Sequence, residues 1–169
     1  MINAGVSGDT AGHGLERVER DILRHDPDLV VVSFGLNDAT MGGKEKVDEY
    51  ANALKGIFEK IQAAGKEVIF MTECMMNTKL SDHITEQTGE ATAKKTMIIQ
   101  NDGITDLYFD TAKKVCKECG VTVCDCYSKW KKLAENGADT TELLSNKINH
   151  PTREMNWLFA VSLFETIME

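Results

Sequence analysis

The chain is short of prolines and aromatics, has no basic excess and contains no long apolar run, and each shortage excludes something. It carries 19 Lys and Arg against 27 Asp and Glu, a formal charge of -8. That is the wrong sign for a surface that must neutralise nucleic-acid phosphates or lie on anionic lipid. No apolar run approaches the roughly 18 residues of a membrane helix. No charged start followed by an apolar stretch marks a signal peptide. Only two prolines, Pro27 and Pro151, and a hydrophobic share of 42% speak against a disordered chain. With no internal repeat, low-complexity tract or linker, residues 1–169 read as one domain, of a size that buries about two-thirds of its unfolded surface. An odd set of cysteines, Cys74, Cys116, Cys119, Cys124 and Cys126, fits a reducing compartment better than a disulfide framework.

What is present is an alternation of strands and helices. Leu29 to Phe34 is a continuous β-branched run, the pattern of a parallel strand covered on both faces. Val68 to Met71 and Val121 to Cys124 read as further strands, and Ile2 to Val6 as a weaker one. Val47, Tyr50, Ala51, Leu54, Ile57, Phe58 and Ile61 fall on one helical face, with Gly65 at its C-terminal cap. Leu15, Val18 and Ile22 mark a shorter helix before Pro27, and another runs from Ile104 to Cys119 and stops at Gly120. The last helix is expected to begin near Pro151 and is apolar nearly all round. The polar stretch from Asn77 to Asp102 reads as a long loop, a candidate lid. This order predicts an α/β fold with a parallel sheet, whose sites form in loops at the carboxyl ends of the strands.

Three elements with chemistry fall in those loops. Ser7-Gly8-Asp9-Thr10 follows the first strand candidate, and its glycine lets a backbone N–H approach a ligand. Gly35-Leu36-Asn37-Asp38 follows the Val-rich strand, with the Asn37 amide as a donor, and Asn149-His150-Pro151 brings an imidazole. Taken singly, each is more often a turn, a cap or a loop residue. Together, two donors and an imidazole suit acyl transfer, the donors holding an oxyanion and the histidine moving the proton.

Asn3 to Thr10, Pro27 to Val32, Gly35-Leu36-Asn37-Asp38 and His150-Pro151 together resemble, in order, the motifs of the SGNH (GDSL-type) esterase and acylhydrolase family, from residue 2 to the end of the chain. The resemblance implies a three-layer α/β/α sandwich with a flavodoxin-like sheet. It implies a small-molecule ester substrate, an acyl or acetyl ester such as that of a carbohydrate, and no metal or cofactor. Gly8 and Asn37 match the family's oxyanion-hole residues, and His150 its catalytic histidine.

Two departures shape the expectation. The family's nucleophilic serine stands in a Gly-Asp-Ser motif on a first strand upstream of everything here, so the nucleophile and its strand are expected to be missing. The domain is then N-terminally incomplete, and the chain by itself inactive. A βα unit adds about 30 residues, which brings the whole domain nearer 200. In a strand order of 2-1-3-4-5 the gap falls between the Ile2–Val6 and Leu29–Phe34 strands, so the N-terminal segment is expected to be displaced, to pair with the next strand, or to be completed by another chain. Ser7 matches the second-block serine instead. It lies beside an oxyanion donor rather than opposite one, and Gly5-Val6-Ser7-Gly8 is followed by Asp9 where a nucleophile elbow needs glycine. The second departure is Lys147, which occupies the place of the family's histidine-orienting Asp. Loss of a triad carboxylate can lower turnover about 10⁴-fold.

The rival readings are a non-catalytic binding module of the same fold, and a flavin or nucleotide binder, for which no phosphate-cradling loop is evident. The cysteine pairs read as free thiols rather than zinc ligands. The incomplete sheet and the apolar last helix are the expected surfaces for a second copy.

Overall fold

Strand-forming runs and amphipathic helices alternate in the sequence, and a computed structural model describing residues 1–169 resolves them into layers. The helices are α1 (Ala11–Asp21), α2 (Leu36–Gly42), α3 (Val47–Ala63), α4 (Glu90–Asn101), α5 (Ile104–Cys119), α6 (Cys126–Glu135) and α7 (Asn156–Met168). The strands are β1 (Leu29–Val32), β2 (Glu67–Met71) and β3 (Thr122–Cys124). They form one parallel sheet in the order β1-β2-β3, with Val30 opposite Val68 and Phe70 opposite Val123. This consecutive order is the 3-4-5 half of the flavodoxin-like arrangement.

Alternation along the strands decides which residues meet which helices. Val30, Val32, Val68 and Phe70 face the main core, with Leu54, Ile57, Phe58 and Ile61 of α3 and Tyr108, Phe109 and Ala112 of α5. Ile69 and Cys124 point to the other face, where Leu158, Phe159 and Leu163 of α7 cover them. That cover is partial. Val31 on β1 is 38% exposed, and α7 turns a stripe of Trp157, Val161, Phe164 and Met168 to solvent, with Trp157 72% exposed. None of the helices is long and apolar enough to cross a membrane.

Trp130 of α6 is fully buried and tilts against Phe159 of α7, ring centroids 6.5 Å apart. Its indole N–H has no partner, so truncation removes an unsatisfied donor along with the packing. Trp130→Ala is expected to cost about 3–4 kcal/mol, the lower part of the range for buried aromatics. Urea denaturation measures it.

Four expectations need correction. Ile2 to Val6 is not a strand. A strand must exchange its N–H and C=O groups with a neighbour, and this segment satisfies them locally: Arg17 Nη1 donates to Ala4 O at 2.6 Å, and Gly5 N–H donates to Asn3 Oδ1 at 2.9 Å. The N-terminal segment thus adds no strand, and the outer edge of β1 is unpaired. The last helix begins at Asn156, not near Pro151. Ser145 N–H donates to His150 O, Thr152 N–H donates to Leu143 O, and Pro151 bridges Leu144, which holds residues 150–152 extended. The stretch from Asn77 to Asp102 is half helix, since α4 occupies Glu90–Asn101. The strand read from Val121 to Cys124 is β3, and a helix absent from the sequence reading, α6, follows it from Cys126.

Candidate active site

The carboxyl ends of β1 and β2 open into a cleft of about 560 Å³. Gly8, Asn37 and His150, far apart in the chain, all line it, together with Ser7, Ser33 and Glu73. A smaller hollow of about 310 Å³ lies at the amino ends of the strands, and no Ser, His or Cys lines it.

Backbone geometry explains each arm. Gly8 has φ +79 in a turn closed by Asp9 N–H donating to Val6 O, a conformation that favours glycine. The Gly8 N–H donates to no atom of the chain. Asp9 anchors the turn to α1, its Oδ2 accepting from Arg17 Nε at 2.7 Å. Gly35, at φ +151, is the hinge between β1 and α2, and an added Cβ would stand 2.7 Å from Phe109 Cε1. The hinge places Asn37 in the first turn of α2, where its Nδ2 donates to Asp9 O at 2.9 Å. One amide hydrogen thus joins the two arms and the other is unused.

His150 sits in a strap rather than at a helix entrance. Asn146 Oδ1 gathers the N–H groups of Ile148, Asn149 and His150. Cys74 Sγ donates to Asn149 O at 3.2 Å, and Asn77 N–H donates to Ile148 O, stitching the strap to the segment after β2. No carboxylate orients the imidazole. Lys147 turns away and donates to Glu142 Oε2 at 2.9 Å.

Two carboxyls in this region were missed as site residues. Glu73 lines the cleft and accepts Leu36 N–H on Oε2 at 2.9 Å. Burial pushes its carboxyl up to about 7, against the pull of that N–H, and the charge of Asp38 raises it further. Asp38 accepts Ala11 N–H at 2.9 Å, and burial raises it to about 6. A carboxylate next to a strand's end was the one available signal for Glu73. No group of three or more His, Cys, Asp or Glu stands together as a metal site would require.

A parallel sheet covered by helices, with this cleft at its carboxyl edge, defines the class as an α/β fold of the doubly wound, flavodoxin-like type. The chain belongs to the GDSL-like lipase/acylhydrolase family, whose model matches residues 1–158. It is similar to an arylesterase of Vibrio mimicus, 37% identical over 71 residues, which are 42% of this chain and 34% of that protein. It is similar also to thioesterase 1/protease 1/lysophospholipase L1 of Escherichia coli (strain K12), 34% identical over 71 residues, 42% of this chain and 33% of that one. The matched stretch thus spans about a third of these curated relatives. Among solved structures, the acetylxylan esterase Axe2 of Geobacillus stearothermophilus superposes with a TM-score of 0.74 at 19% identity, over 96% of this chain and 69% of that chain. The acetyl xylan esterase AlAXEase gives 0.73 at 20%, over 96% and 78%.

Proposed function

We propose that this chain is the greater part of an ester hydrolase acting on small acyl or acetyl esters, including those of carbohydrates, and that its nucleophilic serine lies outside these 169 residues. The observation that carries the reading is the convergence of Gly8, Asn37 and His150 on one cleft. A serine on a strand added to the free edge of β1 enters that cleft at its open side. Val31 and the exposed stripe of α7 then gain cover from the helix that follows such a strand.

The serine Oγ bonds to the ester carbonyl carbon while His150 takes its proton. The Gly8 N–H and the free Asn37 amide hydrogen hold the oxyanion of the tetrahedral intermediate, each worth a few kcal/mol. The intermediate collapses, the C–O bond breaks, and His150 protonates the leaving alcohol. Water then repeats the sequence on the acyl-enzyme, releasing the acid and restoring the serine. The arylesterase and acetylxylan esterase names of the similar proteins agree with ester chemistry of this kind.

A second reading, a non-catalytic binding module, is favoured by the imidazole that no carboxylate orients. Turnover by the protein equipped with a preceding Gly-Asp-Ser unit separates the cases, since a binding module shows none, and a substitution locates the nucleophile. Ser7→Ala is expected to leave the fold and ester binding of the chain unchanged, and turnover by the serine-equipped protein unaltered. Abolition of turnover by Ser7→Ala with the fold intact would make Ser7 the nucleophile.

A further inference from the structure

Asp38 and Glu73 take no part in the proton transfers above, yet Glu73 lines the cleft and Asp38 follows Asn37, which also lines it. Asp38 is 7% exposed, its Oδ1 holds Ala11 N–H, and its Oδ2 is buried with no partner. Glu73 Oε2 holds Leu36 N–H. Ala11 begins α1 just after the Gly8 turn, and Leu36 is the residue before Asn37. Each carboxyl therefore grips the backbone of one arm, and Asn37 Nδ2 on Asp9 O ties the arms together. A neutral acceptor would satisfy either N–H. Two carboxyls within electrostatic reach of each other in a buried place are unfavourable unless one is neutral.

We propose that Asp38 and Glu73 are a pair of positioning residues that set the spacing of Gly8 N–H and the Asn37 amide across the cleft. The inference rests on the reading of those two groups as the oxyanion donors. It makes the arms proton-sensitive. With Glu73 neutral, Leu36 N–H is held by an ordinary hydrogen bond. With both carboxyls charged, the bond to Leu36 strengthens while Glu73 and Asp38 repel, and the first turn of α2, which carries Asn37, shifts against the Gly8 turn that Asp38 holds through Ala11. The titratable groups that face the pair are His13 from α1, Tyr50 from α3, Tyr108 from α5 and Cys74 beside Glu73. Burial keeps Tyr50 and Tyr108 protonated through neutral pH, so neither supplies a competing charge there.

Proton–nitrogen NMR of the 169-residue protein between pH 5 and 8 tests this without any enzyme assay, so its failure is distinct from a failure of the esterase reading. The Leu36 amide is expected to titrate with a midpoint near the value of about 7 that burial gives Glu73. Asp38→Asn keeps the acceptor for Ala11 and is expected to lower that midpoint by about 0.5 or more, because the neighbouring charge is gone. Glu73→Gln is expected to abolish the titration while keeping the Asn37 side-chain amide at its wild-type pH 5 resonance. Glu73→Leu, which has no acceptor, is expected to displace that resonance. A Leu36 midpoint indifferent to Asp38→Asn overturns the pair. An Asn37 resonance at pH 8 in the wild type identical to that at pH 5 overturns the positioning role, whether or not the leucine variant folds.

Discussion

Replacing His150 by alanine in the protein equipped with its serine is expected to lower kcat on the order of 10⁴-fold or more while KM moves far less. In the proposed mechanism the imidazole carries the proton in both halves of the reaction, so its loss removes an interaction made in the transition state and not in the bound ester. The donors at Gly8 and Asn37 survive the change and leave a residual rate. The fold survives as well. The strap is held by the backbone at His150 and by Asn146, Cys74 and Asn77, and neither ring nitrogen of His150 has a partner in the chain. A thermal melt of His150→Ala that overlays the wild type, beside a collapsed kcat on p-nitrophenyl acetate, is the expected pair of results.

The protein is also expected to lose stability as the pH rises from 5 to 8. Burial holds Asp38 at about 6 and Glu73 at about 7 in the folded chain, while an unfolded chain would titrate both near 4. A raised carboxyl gives its full contribution below the unfolded value and loses it as the pH climbs through the folded one. The two together are expected to withdraw about 2–5 kcal/mol, allowing for their coupling and partial solvent access. Asp125 works in the opposite sense. Burial opposes its ionisation, but hydrogen bonds from Ser128 and the charge of Lys113 outweigh this and lower its pKa, so its contribution fades only in more acidic solution. Urea midpoints measured across this range should fall with pH. The double variant Asp38→Asn/Glu73→Gln should flatten the profile and exceed the wild type at pH 8.

Local pattern revealed most of the fold. The β-branched run around Val30–Val32 is a strand as read, though Val31 leaves one of its faces open, and the helix read from Ile104 to Cys119 has those limits in α5. Helix α4 was hidden because its buried positions, Ala93, Thr96, Ile99 and Gln100, mix polar with apolar residues and leave no clean period. Ile2 to Val6 has a strand's composition, but composition does not reveal that it joins no strand of the sheet. The helix after Pro151 starts late because Leu143 and Ser145 capture the backbone at residues 150–152, a tertiary event. The site divides in the same way. Gly8, Asn37 and His150 stood in short motifs at the ends of elements. Asp38 and Glu73 did not declare themselves, since their partners Ala11 and Leu36 lie 27 and 37 positions away in the chain.

On the proposed function, Gly8, Asn37 and His150 need a serine from outside these 169 residues before any ester is turned over. The most direct measurement is hydrolysis of p-nitrophenyl acetate by the 169-residue protein alone and by the same protein joined to a preceding strand–helix unit that carries a Gly-Asp-Ser motif. No turnover above background is expected from the first, and turnover that His150→Ala removes is expected from the second. Turnover by the 169-residue protein alone, abolished by Ser7→Ala, would contradict it.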